Sequence, residues 1–592
     1  MQRPHLFQLL MVAGAAFGVV QAQAQAPLAS AAVESRTTPK DSVELVRAAQ
    51  SDQASFERLR RSRLPETWGR GSSQCDERIG RFCLTHGTGR DDWVAPPEHE
   101  EIIQTRNRLI AGLGMVADLM PGDGWVAGQR VRYLVEARRF DESLVAARAC
   151  RGERWWCAAL EGFAHHYAAQ AESADSAFSS ALAAMEESER ERWSDLSMVL
   201  DERTIRTYRR MEPEERAPFE DRFWRLSDPL LTRPGNELRS EHLARHVWDR
   251  FQLEARTTDA ISWGYDLREI LVRYGWPTGW ERTREWRMAA QAGPPPLVSH
   301  YSSAPQYLLP PSEALLEGNG TDGLWDVEAP KARTGYNVPL ADSIAQWFSP
   351  LDHQVAIFRR GTEAVIVAGY ALPADSVPED AAVTAGLATL PTTDSLAEPD
   401  VMVDRESSRS GSLMTLVEAR PVLMSLEIVV PEQRRLARAR YGLDLAPVPP
   451  GLLSLSDILL LNDAEMLPDS LPDALATVRG STEVVPGEQV GLYWEIYGLD
   501  VAEAPSVAMS LRLLQAQTGW LRRLAERAGL LREVAPIRLR WEEPTVEGPY
   551  MPRSLDVQIP DVSPGTYSLE LTLETPGREP LSVTREIEVV ER

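Results

Sequence analysis

The chain contains few lysines, few cysteines and few long apolar runs. Only two of its 63 basic residues are lysine, Lys40 and Lys331, and neither follows a Gly-x-x-x-x-Gly frame, so no P-loop is present. A Gly-x-Ser-x-Gly elbow is also absent, which argues against an α/β-hydrolase. The formal net charge of −24 argues against nucleic acid and anionic membrane surfaces as partners.

The composition is that of a globular protein, with 43% hydrophobic and 25% charged residues. These proportions exclude wholesale disorder. A length of 592 residues predicts several domains, because one hydrophobic core rarely serves more than about 300 residues. Since no catalytic, cofactor-binding or metal-binding motif is found, we assign no residues to these roles and expect a non-enzymatic protein.

Residues 1–24 have the organisation of a cleaved signal peptide. Arg3 supplies a positive charge, an apolar stretch runs from Leu6 to Val20, and Ala22-Gln23-Ala24 offers a small-x-small cleavage pattern. The stretch is shorter than the ~18 apolar residues that a membrane anchor needs. We therefore expect an exported protein, periplasmic or extracellular, with no transmembrane anchor after cleavage.

All four cysteines lie in the N-terminal third as two close pairs, Cys75 with Cys83 and Cys150 with Cys157. In an oxidising compartment such pairs are most simply local disulfides. Two alternatives stay open. One is free buried thiols, and the other is a metal site that includes His86, although no fourth ligand stands at a recognised zinc spacing.

Two segments of different character follow the signal peptide. Residues 25–60 are polar and rich in Ala, Ser and Gln, which is typical of a tether, whereas 61–225 favours helices. Within the helical segment, a pattern of apolar and small residues recurs after about 31 positions: Val131, Leu134, Phe140, Leu144 and Ala147, then Gly162, His165, Ala174, Phe178 and Ala181. The pattern resembles the tetratricopeptide repeat, which implies stacked helical hairpins.

Residues 236–286 are rich in tryptophan and contain Ser262-Trp263-Gly264-Tyr265-Asp266. The stretch resembles the core of the bacterial GWxTD-domain family, in which a Gly-Trp-x-Thr-Asp element precedes an arginine-bearing strand that ends in Tyr-Gly and a proline turn. Ser262 and Tyr265 replace the Gly and Thr of that element. The family has no assigned activity, so the resemblance implies an envelope-associated bacterial protein. Its motif residues here are Trp263, Asp266, Arg268, Tyr274, Gly275 and Pro277.

The C-terminal half has the period of two that is typical of strands. Residues 287–345, rich in Pro, Gly and Ser, are interpreted as a linker that leads into it. After a Pro-Gly turn, four apolar residues alternate onto one face of a strand: Tyr567, Leu569, Leu571 and Leu573. We predict two immunoglobulin-like β-sandwich domains, at 346–445 and 450–592, and hence a fold class of α followed by β.

Two residue sets suggest binding sites, and each has a simpler structural interpretation. His242 and His246 share one helix face, but the first is not followed by the Glu that a zincin requires, so we interpret both as packing residues. Five tryptophans cluster within 39 positions: Trp248, Trp263, Trp276, Trp280 and Trp286. Such rings form either the core of a small domain or a platform on which sugars stack.

We expect the chain to be an envelope protein that acts as a protein–protein interaction scaffold through its helical repeats and β-sandwiches. Stacked hairpins leave a curved groove that usually holds extended polypeptide, and the negative charge favours a basic partner segment. The alternative is a carbohydrate or cell-wall binding protein that uses the Trp248–Trp286 cluster. The sequence specifies neither the partner nor an oligomeric state.

Overall fold

A computed structural model describes most of the chain. The described residues are 39–68, 76–84, 94–284, 297–301, 309–316, 348–375, 377–392, 397–433, 435–449, 451–462, 466–500, 504–515 and 537–591. Within them, a helical N-terminal half is followed by a C-terminal half of antiparallel sheets, which confirms the predicted order of α then β. The predicted signal peptide, Cys75, His86 and Trp286 lie outside these residues.

Most of the described N-terminal half is helical. Its helices are α1 (Pro39–Arg63), α2 (Glu100–Leu119), α3 (Gly124–Glu136), α4 (Phe140–Ala149), α5 (Arg154–Tyr167), α6 (Ala171–Ala184), α7 (Glu187–Ser194), α8 (Glu202–Tyr208), α9 (Pro213–Ser227), α10 (Glu237–Glu254) and α11 (Tyr265–Tyr274). Its short strands are β1 (Glu66–Trp68), β2 (Glu77–Ile79) and β3 (Phe82–Leu84), with β4 (Gly279–Arg284) and β5 (Leu297–His300) after α11.

Helix α1 lies where the sequence predicted a polar tether. Its Gln53 donates to the Tyr133 hydroxyl (2.9 Å), while Glu57 accepts from Tyr133 (2.6 Å) and from Arg132 (3.1 Å). Glu57 and Arg132 are at most 2% exposed, so this face of α1 is buried. From Pro39 onward the tether interpretation is therefore wrong. The sequence signal failed because α1 buries Gln53 and Glu57 together with Phe56, and a search for apolar periodicity does not detect a face so rich in polar residues.

Helices α3–α4 and α5–α6 form two hairpins with the same turn. Each turn contains one residue with positive φ, Arg138 (58°) or Ala169 (60°), and the surrounding backbone amides repeat the same three hydrogen bonds 31 residues apart. Gly162 on α5 leaves room for Phe178 on α6, because a Cβ there would lie 2.8 Å from the ring. The helical hairpins are thus present at the predicted period, while kinship with tetratricopeptide repeats stays a prediction.

Helix α10 covers the face of α3 and α5 that we expected to form an open groove. Its Trp248 and Phe251 pack edge-to-face on Phe163 of α5, with ring centroids 5.3 and 5.4 Å apart. Gly128 on α3 gives Phe251 room to approach. Since all three rings are at most 1% exposed, the tryptophan-rich segment belongs to the core of the repeats and forms no small domain of its own.

Residues 265–274 form helix α11, where the resemblance implied a strand. Leu267, Ile270 and Leu271 recur at helical spacing and are buried. Gly275 then ends the helix with a φ of +81°, a conformation that favours glycine. A strand follows only at β4, which pairs in parallel with β1 and antiparallel with β5. The implied strand is therefore wrong for 265–274.

Two ordered elements fall inside the segment predicted to be a linker, 287–345. One is strand β5, and the other is helix α12 (Ser312–Leu316), which packs on α8 and α9. Arg222 on α9 donates to the Ala314 carbonyl at 2.8 Å. The described parts of this segment are therefore attached to the helical half.

Two β-sandwiches make up the C-terminal half. The first contains β6 (Phe348–Pro350), β7 (Asp352–Arg360), β8 (Glu363–Ala371), β9 (Val383–Pro391), β10 (Asp400–Ser407), β11 (Ser410–Glu418), β12 (Val422–Val430) and β13 (Arg435–Leu443). The second contains β14 (Ser454–Leu455), β15 (Leu459–Leu461), α13 (Leu471–Ala474), β16 (Glu483–Val484), β17 (Gln489–Tyr497), β18 (Ser506–Gln515), β19 (Ile537–Pro544), β20 (Tyr550–Gln558), β21 (Gly565–Glu574) and β22 (Leu581–Val589).

Each sandwich packs a five-stranded sheet on a smaller one. The orders are β10-β9-β12-β13-β6 with β11-β8-β7, and β16-β22-β21-β18-β19 with a sheet in which β17 pairs with β14, β15 and β20. In both, a short strand runs parallel to the last strand, β6 beside β13 and β16 beside β22. The Tyr567 hydroxyl donates to the Ser563 carbonyl (2.9 Å), which is the tyrosine corner of immunoglobulin-type sandwiches.

A buried polar network joins the helical half to the first sandwich, and we call it the polar junction. The Glu427 carboxylate accepts from the amides of Leu231 and Thr232 (both 3.0 Å) and from the Arg440 guanidinium (2.9 Å). Arg440 also donates to the Asp228 carbonyl (2.7 Å). Glu427 and Arg440 are at most 1% exposed. The hydrogen bonds that hold this contact are therefore shielded from water.

The two sandwiches meet through an apolar cluster, the apolar junction. Phe358 from the first sandwich packs on Tyr493 from the second, with ring centroids 5.7 Å apart. Val367 of the first sandwich and Leu459 and Leu461 of the second join the same cluster, and none of the five is measurably exposed. Strand β8 is consequently buried on both faces.

Candidate functional site

The motif residues Trp263 and Arg268 converge on one carboxylate, Asp249 of α10. Trp263 Nε1 donates to Oδ1 (2.7 Å) and Arg268 Nε donates to Oδ2 (2.9 Å). Burial raises the pKa of Asp249, although both partners act to lower it. The indole of Trp263 is half-buried against the helical core. These bonds fix the segment before α11 to α10.

Asp266 holds the β2–β3 hairpin against the start of α11. Its carboxylate accepts from Arg81 Nε (2.6 Å) and Nη2 (2.9 Å), and the Arg81 guanidinium keeps the pKa of Asp266 at about 2. Gly80 at the hairpin turn lies so close that a Cβ would come within 2.6 Å of the Asp266 Cβ. Asp266 therefore has a structural hydrogen-bonding role.

A second contact fixes the same hairpin to the end of α11. The Glu77 carboxylate of β2 accepts from Arg273 Nη1 (2.7 Å) and from the Tyr274 hydroxyl (2.5 Å). Burial raises the pKa of Tyr274, so the hydroxyl stays protonated and donates. The hairpin that carries Cys83 is thus held at both ends of α11.

Gly275 and Pro277 lie where the chain turns from α11 to β4. A Cβ at Gly275 would come within 3.0 Å of the Arg245 guanidinium, which itself donates to the Val272 carbonyl (2.7 Å). Trp276 between them lies parallel to Trp248, with centroids 4.1 Å apart and planes 3° apart. Gly275 is needed here both for its positive φ and for the space that Arg245 occupies.

The described tryptophans of the Trp248–Trp286 cluster pack mainly on each other. Trp248 is 1% exposed. Trp276 stacks one ring face on Trp248 and meets Trp280 edge-to-face, with ring centroids 5.5 Å apart. Trp263, Trp276 and Trp280 are half-buried. Because the ring faces pack on other side chains of the protein, the described part of the cluster resembles a hydrophobic core more than a sugar-binding platform.

A buried array of serine, histidine and carboxylate lies between α5 and α10. His166 Nδ1 is 3.0 Å from Ser240 Oγ, and His166 Nε2 is 2.7 Å from Glu241 Oε2. Burial raises the pKa of Glu241, but Arg245 and His166 together lower it to about 2. Ser240 has no exposed surface and its hydroxyl donates to the Glu237 carbonyl, so the array holds two helices together and offers no accessible nucleophile.

His242 and His246 lie side by side on α10, with their Nε2 atoms 3.2 Å apart. His246 stacks on Trp193 at 5.4 Å, and His242 contacts Trp224 at 4.8 Å. Burial lowers the pKa of both, to about 3 for His246, so both are neutral at pH 7. Among the described residues no three His, Cys, Asp or Glu side chains gather as metal ligands.

One of the two predicted disulfides is described in full. Cys150 and Cys157 are bonded, with Cα atoms 5.5 Å apart, and link the end of α4 to the first turn of α5. Cys83 is also disulfide-bonded, whereas Cys75, its predicted partner, lies outside the described residues. The Cys150–Cys157 prediction is confirmed and ties the first helical hairpin to the second.

Sequence reasoning missed the hydrogen-bond partners of the motif residues. Asp249 and Glu77 lie 14 and 197 residues from Trp263 and Tyr274, and Arg81 lies 185 residues from Asp266. No local pattern marks such partners. Trp263 and Arg268 bond to α10, whereas Asp266 and Tyr274 bond to the β2–β3 hairpin. The arrangement therefore joins α10, α11 and the hairpin.

Comparison with known proteins adds no family. No protein-family model matches the chain, and no curated protein matches it. Among solved structures, the transglutaminase of red sea bream is similar at 10% identity and a TM-score of 0.13, over 45% of this chain and 36% of that one. A likeness at that TM-score supports no argument about fold or function.

No described helix combines the length and the apolar character that crossing a lipid bilayer requires.

Proposed function

We propose that this protein is an exported, non-enzymatic interaction scaffold of the bacterial cell envelope. The signal-peptide pattern at residues 1–24, the Cys150–Cys157 disulfide and the resemblances to GWxTD-domain proteins and tetratricopeptide repeats support this proposal. Kinship with those families is part of the proposal.

The observation that carries the proposal is the pair of packed junctions. The polar junction fixes the helical half on the first sandwich, and the apolar junction fixes the first sandwich on the second. Flexible linkers would let three units move independently, whereas buried junctions hold their surfaces in one fixed relation. A fixed relation between several surfaces is what a scaffold needs in order to position partners.

The partner that we propose carries a basic segment. The chain has 87 acidic and 63 basic residues, so a cationic partner is attracted at long range and its association weakens as salt rises. The α3–α5 face is taken by α10, so the partner docks elsewhere on the surface. A fragment of residues 61–225 would lose α10 from its core, and binding is therefore best tested with the full chain.

Cross-linking in the native envelope tests the scaffold proposal. The full-length protein should cross-link to a discrete partner protein, and raising the salt concentration before cross-linking should reduce the yield. Absence of any discrete partner at low salt would contradict a scaffold role. Capture of cell-wall glycan without protein would favour the carbohydrate-binding alternative.

Mass analysis of the secreted or periplasmic protein tests export separately. We expect a mature N-terminus at Gln25, which follows cleavage after Ala24. A full-length protein that retains Met1 in the cytoplasm would contradict the export proposal and leave the internal packing unchanged.

A further inference from the structure

Strand β10 is an edge strand that exposes three consecutive apolar residues. It pairs only with β9 in the five-stranded sheet of the described residues. Val401, Met402 and Val403 are 44%, 38% and 38% exposed. Because successive strand residues point to opposite faces, the strand is uncovered on both faces as well as along its outer edge. Such an edge is a template for pairing with another chain.

The edge strand β19 of the second sandwich is protected and offers a contrast. It exposes one large apolar residue, Leu539 (41%), and flanks it with Arg538 and Arg540. The strand ends at Pro544, which cannot donate to a further strand. Charges and proline are the usual means of blocking edge pairing. In β10, by contrast, three apolar residues follow one another between Asp400 and Asp404, with no charge or proline among them.

A pocket opens at the start of β10, where the first sandwich faces the helical half. It has a volume of about 640 Å³, and its lining includes Glu398, Pro399 and Val401 from the β10 side and Asp221 and Trp224 from α9. The pocket also contains arginines, of which Arg239 is paired with Asp175 at 2.5 Å. A segment that pairs with β10 would therefore continue into this pocket.

The charge around β10 selects the kind of segment. Residues 398–406 contain four carboxylates, Glu398, Asp400, Asp404 and Glu406, against one arginine. In an antiparallel pair of two copies centred on Met402, Asp400 would face Asp404 of the other copy, and like charges that face each other destabilise a sheet. A basic strand would instead place cations opposite these carboxylates.

We propose that β10 accepts an extended, basic segment of a partner polypeptide as an additional strand of the first sandwich. The proposal rests on the interaction-scaffold function and names its docking surface. Backbone hydrogen bonds along the outer edge supply affinity. On one face of the strand, apolar side chains of the guest cover Val401 and Val403. On the other face, basic side chains of the guest meet Asp400 and Asp404 and lay their apolar stems against Met402.

Hydrogen exchange of the full mature protein tests this with a defined probe. A capped peptide of four Lys-Val repeats should slow amide exchange at residues 400–404 by about tenfold or more, whereas a peptide of four Glu-Val repeats should not. Binding without protection at 400–404 would overturn the proposal, as would failure of the Lys-Val peptide to bind.

Matched variants separate the edge from general surface charge. Val401→Lys with Val403→Lys should weaken peptide binding by about tenfold or more, because the cations repel the probe and remove the apolar edge. Leu416→Lys, on the exposed face of β11, should bind as the wild type does. Equal binding by the double variant, with an unchanged melting temperature, would overturn the proposal.

Envelope cross-linking distinguishes this inference from the scaffold function. If the double variant still cross-links to the partner as strongly as the wild type, the β10 surface is wrong and the scaffold function stands. If the wild type captures no partner, the scaffold function itself fails.

Discussion

The two junctions of this protein join its parts by different physical means. The polar junction relies on five or more directional bonds to one buried carboxylate, Glu427, whereas the apolar junction relies on buried rings and aliphatic side chains. A buried ion pair gains little net free energy over apolar packing, but losing one partner strands the other charge away from water. The polar junction therefore fixes the orientation of the helical half on the first sandwich. It is also strongly destabilised when one of its charged partners is lost.

The largest expected effect breaks the polar junction. Glu427→Ala should destabilise the protein by about 4 kcal/mol, because Arg440 would be left buried without its carboxylate. Chemical denaturation measures the change in the free energy of unfolding. Glu418→Ala is the control, since its carboxylate is 72% exposed beside Arg420 and should change stability by less than about 1 kcal/mol. Equal effects of the two variants would refute the importance of burial.

A cavity at the apolar junction should cost somewhat less. Leu459→Ala should destabilise by about 3 kcal/mol, because it removes a fully buried side chain from the cluster between the sandwiches. Leu416→Ala, at a position that is 52% exposed, should change stability little. The Leu459→Ala variant should lose the same free energy at pH 6 and at pH 8, because it removes no titratable group. A marked pH dependence of its effect would contradict an apolar junction.

The Cys150–Cys157 disulfide lies outside both junctions. Its removal therefore tests whether the free-energy losses of distant substitutions add. Replacing both cysteines by serine should destabilise by about 2 kcal/mol, because the bridge closes a short loop and restricts the unfolded chain only modestly. Combined with Leu459→Ala, the two losses should add, as expected for distant sites. A combined loss that differs by more than about 1 kcal/mol from the sum would indicate coupling between the repeats and the sandwiches.

The smallest effect concerns the pH dependence of stability that arises at Glu237, a buried residue at the start of α10. Burial raises the pKa of Glu237 from 4.5 to about 7, with Glu427 and Asp175 adding to the rise and Arg233 opposing it. Between pH 4.5 and about pH 7, Glu237 is protonated in the folded state and ionised in the unfolded state. The free energy of unfolding therefore falls as the pH rises. From pH 6 to pH 8 the loss should be about 1 kcal/mol.

Glu237→Gln is the matched test of that pH dependence. The amide keeps the shape of the side chain and cannot ionise, so the variant should show a flatter profile of unfolding free energy between pH 6 and pH 8. If wild type and variant lose stability in parallel over this range, Glu237 does not titrate as its burial implies.

What the sequence predicted correctly rests on local periodicity. The helical hairpins were predictable because Gly162 and Phe178 mark a crossing by residue size, and the second sandwich because Tyr567 and Leu569 alternate after a turn. Helix α11 was misassigned because a family resemblance implied a strand in place of the helical spacing of Leu267 and Leu271.

Structural features that depend on contacts between residues far apart in the chain could not be predicted from the sequence. From the sequence alone, Glu57 is expected to face solvent, because its partners Arg132 and Tyr133 lie far away in the chain. For this reason α1 was predicted to be part of a tether. The covering of the α3–α5 face by α10 likewise depends on a contact between Phe163 and Phe251, far apart in the chain. The pairing of Asp266 with Arg81 likewise joins residues far apart in the chain.

Together, the two junctions should hold the molecule as one rigid body. Double electron–electron resonance between spin labels at Met115→Cys in α2 and Leu539→Cys in β19, both exposed positions, spans the two junctions in one measurement. We predict a single narrow distance distribution for the otherwise unchanged protein and a broader one once Glu427→Ala is added. A broad or multiple distribution without that substitution would contradict this prediction.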